Sequence, residues 1–111
     1  MDNVYVIGVG MTPFGKLANR SVKDLTRLSV EAALADAGCN TGDLEGAFCA
    51  NAVQGHMEGQ HMIRGQIALR EMGIQRIPVV NLENACASAS SAFHLALNFL
   101  RAGAGEVALA V

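Results

Sequence analysis

Residues 77–97 read IPVVNLENACASASSAFHLAL. Ile77 to Leu82 is a short, β-branched apolar run, the pattern of a strand packed in a sheet. Pro78 has no N–H to give to a ladder, so this strand suits a sheet edge or a strand end. From Ala87 to Ala102 small and apolar residues recur at helical spacing, and Gly103 supplies the stop. The stretch is a strand feeding a helix, with one cysteine, Cys86, at the join and nothing bulky until Phe93. A strand followed by a helix is the building unit of a parallel sheet.

The same unit recurs upstream. Val4 to Val9 is apolar and closed by glycines, and is expected to be a buried strand; the turn-rich GMTPFGK follows. Ser21-Val22-Lys23-Asp24 resembles a capping box with Asp in place of Glu. Leu25, Leu28 and Ala32 then mark a helix that Gly38 ends. Ala47 to Val53 reads as a second strand, Gln54 to Gly59 as a polar loop, and Gln60 to Met72 as a helix stopped by Gly73. Glu106 to Val111 opens a fourth strand. The order βαβαβαβ predicts an α/β fold with a mostly parallel sheet and right-handed crossovers. EVALAV has the composition of a strand buried on both faces. The 111 residues therefore read as the N-terminal part of a longer fold, truncated in its fourth strand. Gly8, Gly10 and Gly15 have the spacing GxGxxxxG, with Pro13 between. That is a tight strand-to-loop connection and no dinucleotide fingerprint.

Composition narrows the function classes. Apolar residues make up 51% of the chain, charged residues 16%, and the formal net charge is −2. No basic patch argues for nucleic acid and no polybasic segment for a membrane surface. No apolar run has the length of a membrane span. Asp2 follows Met1 directly, against a secretory leader. Three cysteines without CxxC spacing indicate neither a disulfide framework nor a zinc site, and a reducing cytoplasm is the simplest compartment.

Cys86 is the candidate nucleophile. A helix start carries unpaired N–H groups and a partial positive charge, which favour a thiolate and can hold the oxyanion of a tetrahedral intermediate. Small neighbours leave space for an acyl group, so the placement suits a thiol that accepts an acyl group and passes it on. The alternative is a buried cysteine packing as a small hydrophobe, which is also how Cys39 and Cys49 read. His94 cannot reach Cys86 along a continuous helix: eight residues place them roughly 12 Å apart along the axis and about 80° apart around it. His94 instead joins Ser91, Asn98 and Arg101 in a narrow polar stripe with a structural role. His56 and His61 flank the loop HMEGQH without metal-ligand spacing.

At this point the residues resemble a family. VYVIGVGMTPFGK, DLTRLSVEAALADAG, LEGAFCANAVQG and the segment carrying NLENACASASSAFHLA together resemble the N-terminal part of the thiolase superfamily. The flavour is that of sterol-carrier-protein type thiolases and bacterial lipid-transfer-like acetyl-CoA acetyltransferases. The resemblance implies a thiolase-like fold of which this is a partial N-terminal half. It places the acyl-accepting nucleophile on Cys86 and one oxyanion donor on its backbone N–H. Ala89 falls where many thiolases have Gly, adding a methyl group beside the acyl pocket. IPVVNL falls on the edge strand that pairs across the family's homodimer. The implied reaction is thiolytic cleavage of a 3-ketoacyl-CoA, or the reverse Claisen condensation. Acyl-CoA is the partner, coenzyme A is a substrate, and no cofactor stays bound. The catalytic His and second Cys of the family belong to later segments. Two other uses are open: an incomplete, lipid- or partner-binding subunit, and a retro-aldol lyase relative.

Overall fold

The computed structural model describes residues 2–111. Helix α1 spans Val22–Ala37 and begins with the expected capping box. The Ser21 hydroxyl accepts from the Asp24 N–H at 3.1 Å, and the Asp24 carboxylate accepts from the Ser21 N–H at 3.0 Å. That backbone bond, with the hydroxyl contact second, holds the Asp24 carboxyl below its ordinary range. Gly38 ends the helix at φ 69°, where a left-handed residue lets the last carbonyls find partners.

Strands β1 (Gly46–Ala50), β2 (Val79–Leu82) and β3 (Ala108–Ala110) form one parallel sheet in the order β2-β1-β3. Ala47 pairs with Val79 and with Leu109, so β1 is the central strand. Successive side chains of β1 point to opposite faces. Ala47 packs with Val30 and Leu34 of α1, and with Leu69 of helix α3 (Arg64–Arg70). Phe48 packs on the other face, against Ala92 and Ala96 of helix α4 (Ser88–Arg101). Its ring meets Phe99 edge-on at 5.6 Å between centroids. The result is three layers, with α1 and α3 on one side of the sheet and α4 on the other. Strand β2 lies at an edge, as Pro78 predicts, and the Pro78 carbonyl accepts from the Ala47 N–H at 2.9 Å.

Four expectations change. Val4 to Val9 is no strand and is not buried: Tyr5 and Val9 are exposed. Its glycines set it directly on α1, where side chains at Gly8 and Gly10 would strike the carbonyls of Ala33 and Ser29. The Val9 N–H goes to the Asp36 carboxylate at 2.9 Å instead of to a ladder. Open clefts of about 530 and 470 Å³ lie between this segment and the β3 region. Second, β1 ends at Ala50, not Val53, because the Asn51 side chain accepts the N–H groups of Val53 and Gln54 and turns the chain. Third, the expected loop at Gln54 to Gly59 contains a short helix, α2 (Gln54–Glu58). The next helix starts at Arg64, not Gln60, because Ile63 sits at φ 45° and breaks the run. Fourth, β3 is not buried throughout: Leu109 is buried, Ala108 half-buried and Ala110 exposed.

Candidate functional site

Strand β2 ends at Leu82 and α4 starts at Ser88, so the site is built on the five-residue join between them. Cys86 lies one residue ahead of the N-cap, Ala87, and is exposed. No side chain caps α4; the Ser88 N–H turns back to the Ala85 carbonyl, and the N–H groups of Ala89 and Ser90 are the ones left to solvent or to a ligand.

The join is closely specified. The Asn84 N–H donates to the Ser88 hydroxyl at 2.8 Å, and the Asn84 carbonyl accepts from the Ala87 N–H at 2.9 Å. The Ala85 N–H donates to the Glu83 carboxylate, and the Ala85 carbonyl accepts from the Ser88 hydroxyl at 2.7 Å and the Ser88 N–H at 3.2 Å. Every backbone polar group of the two residues before the thiol is therefore bonded. Ala85 holds φ 48°, a conformation that disfavours a residue with a Cβ. Asn84 also donates from its side chain to Ser91 at 3.1 Å, tying the join to the second turn of α4.

The other cysteines differ from Cys86. Cys49 points from β1 into the layer beneath α3, and burial pushes its thiol up to about 11. A Cβ at Gly65 would lie 2.6 Å from its Sγ. Cys39 is half-buried after the C-cap of α1, its Sγ 3.8 Å from the Ala37 carbonyl. The structure brings no histidine into hydrogen-bond contact with Cys86 among the described residues. His94 pairs with Asn98 one turn on, its Nε2 3.1 Å from the amide. With Ser90, Ser91, Glu83 and Asn84 it lines an open groove of about 450 Å³ beside the start of α4. His56 and His61 are exposed, the His61 ring lying against Gly55. Among the described residues no group of three His, Cys, Asp or Glu side chains is placed to hold a metal ion. Among the described residues no helix is long and apolar enough to cross a membrane.

Sequence reasoning marked the thiol but missed Ser88, read only as a small neighbour. The available hint was a serine at a strand-to-helix turn, where hydroxyls compete for local backbone groups. An exposed thiol beside an uncapped helix start can attack an electrophilic carbonyl, with backbone donors at hand for the oxyanion.

Comparison with known proteins agrees with this architecture. A family model described as "Thiolase, N-terminal domain" matches residues 4–111. A non-specific lipid-transfer protein-like 2 of Caenorhabditis elegans is 35% identical over 109 residues, covering 96% of this chain and 25% of that protein. An acetyl-CoA acetyltransferase of Methanocaldococcus jannaschii is also 35% identical over 109 residues, covering 98% of this chain and 28% of that protein. The crystal structure of a 3-oxoacyl-(acyl-carrier-protein) synthase III from Aquifex aeolicus superposes with a TM-score of 0.64 at 14% identity. It covers 76% of this chain and 26% of that one, a likeness of fold. The chain thus spans about a quarter of the length of these relatives. With its parallel α/β core and a match that runs through the cysteine-bearing join to its last residue, the chain belongs to the thiolase family, in the part that forms the N-terminal domain.

Proposed function

We propose that Cys86 is the acyl-accepting nucleophile of a thiolase-type acyl transfer on acyl-CoA. The carrying observation is an exposed thiol on a strand-to-helix join whose two preceding residues, Asn84 and Ala85, have every backbone polar group bonded, ahead of an uncapped helix start. In thiolysis the Cys86 thiolate attacks the 3-keto carbonyl. The bond between C2 and C3 breaks, the acyl group stays on sulfur as a thioester, and the two-carbon CoA fragment leaves with a proton from an acid. Coenzyme A then attacks the thioester and restores the thiol. Backbone N–H groups at the head of α4 supply the oxyanion donors, while the acid and base belong to the rest of the parent fold. Coenzyme A is a substrate here and no resident cofactor is required. The free outer edge of β2 is the surface through which two copies pair, and the setting is cytoplasmic lipid metabolism.

The test is incubation with radiolabelled acetyl-CoA, followed by peptide mass spectrometry. The acetyl group is expected on Cys86, and Cys86→Ser is expected to abolish the adduct. Label distributed equally over the three cysteines of folded protein contradicts the assignment.

A second reading, a lipid- or partner-binding subunit, draws on the exposed Phe93 and Leu95 of α4 and on the lipid-transfer name of one relative. Retention of fatty-acyl probes by the Cys86→Ser variant supports that reading over acyl transfer.

A further inference from the structure

We propose that Ser88 is the positioning residue for Cys86, holding the thiol in its attacking orientation through the backbone of Asn84 and Ala85. The inference rests on the nucleophile reading above.

Ser88 is the first residue of α4, a place where a serine ordinarily faces water. Here it is 6% exposed, and its hydroxyl turns back across the join. It accepts from the Asn84 N–H at 2.8 Å and donates to the Ala85 carbonyl at 2.7 Å. One side chain thus brackets the two peptide units that lead to Cys86. Between them Ala85 is held at φ 48°. A positive φ on a non-glycine residue persists only where its surroundings over-determine it. The side-chain ties that do so come from the exposed Glu83 carboxylate and the buried Ser88 hydroxyl. The exposed Glu83 tie is open to water; the part-buried Ser88 tie is less so, and its loss removes the protein acceptor of the Asn84 N–H. The direction of the Cys86 Cα–Cβ bond depends on the Ala85 and Cys86 dihedrals, so whatever fixes Ala85 aims the sulfur.

The test follows iodoacetamide alkylation of Cys86 in the full chain, with labelling of the buried Cys49 as an internal monitor of fold integrity. Ser88→Ala is expected to slow Cys86 alkylation about five-fold, the size of one net hydrogen bond, with Cys49 still protected. Ser88→Thr, which keeps the hydroxyl, restores the rate. In an Ala85→Gly background the same Ser88→Ala change costs less than two-fold, because glycine adopts a positive φ without help. An unchanged or faster Cys86 rate in Ser88→Ala overturns the proposal. If Ser88→Ala alone exposes Cys49, the glycine background decides, and an equal loss in both backgrounds overturns it. Failure of the nucleophile reading shows separately, as wild-type protein that alkylates at Cys86 but takes no acetyl group from acetyl-CoA.

Discussion

The three cysteines occupy three environments, and their chemistry follows from that. Cys86 is exposed at a turn, Cys39 is half-buried behind a helix end, and Cys49 sits under α3 with its thiol pushed up to about 11 by burial. Limiting iodoacetamide near neutral pH is expected to mark Cys86 first and Cys49 last, with the order collapsing in denaturant. The Cys49 shift also has a sign for stability. Its ordinary value is 9.0, so below pH 9 both folded and unfolded chains keep the proton and stability is unaffected. As pH rises from there through about 11, the unfolded thiol ionises while the folded one cannot, and stability falls. Cys49→Ala is expected to flatten that alkaline decline in chemical-denaturation midpoints; an unaltered slope from pH 8 to 11 refutes the role of burial. At this scale the thiol was legible because a cysteine between a strand pattern and a helix pattern stands out. The Ser88 tie was not, because it depends on the dihedral of Ala85, and an alanine carries no mark of a positive φ.

Elements are defined by local chemistry where that chemistry is short-range. The capping box at Ser21 and the glycine at 38 set both ends of α1, and both were readable. The ends of β1 and α3 were misplaced, because they depend on the Asn51 side chain folding onto its own backbone and on the dihedral of Ile63. The contact of α3 with the sheet rests on Gly65. Its N–H donates to the Asn81 side chain at 2.6 Å, and an added Cβ would come 2.6 Å from Cys49 and 2.9 Å from the Asn81 oxygen. Asn81 in turn donates to Gln66 at 2.6 Å, so the neighbour on that side is itself fixed. Gly65→Ala therefore forces helix and sheet apart and is expected to cost about 1–3 kcal/mol. Ser21→Ala, which removes one cap bond on a solvated helix end, is expected to cost about 1 kcal/mol. Urea denaturation of both variants compares them directly. A smaller loss for Gly65→Ala than for Ser21→Ala contradicts the packing account.

For the whole molecule, the α/β class and the parallel sheet were legible from the alternation of strand and helix patterns. The fate of Val4 to Val9 was not, because an apolar run states a preference for pairing but not whether a neighbour is at hand. Helix α4 covers one face of the sheet and leaves Phe93 at 54% and Leu95 at 37% exposure on its two flanks, Phe93 beside the N-terminal segment and β3 and Leu95 beside the end of β2. Apolar side chains so placed promote association. The chain alone is expected to self-associate in sedimentation experiments and to bind an apolar dye, with Phe93→Ser/Leu95→Ser lowering both. A monodisperse wild-type monomer without dye binding contradicts this.

The central position of β1 carries a consequence for biosynthesis. Gly46 pairs with Ala108, so the strand at the middle of the sheet finds its second neighbour only at the end of this stretch of chain. At roughly 5–20 residues per second of translation, β1 waits on the order of 3–12 s for that neighbour to be made. During that interval one ladder edge of β1, with Phe48 beside it, is open on the nascent chain. Chaperone demand is therefore set by the ribosome reaching β3, and a pause in decoding between the codons for β2 and β3 prolongs the period in which the half-built sheet can pair wrongly.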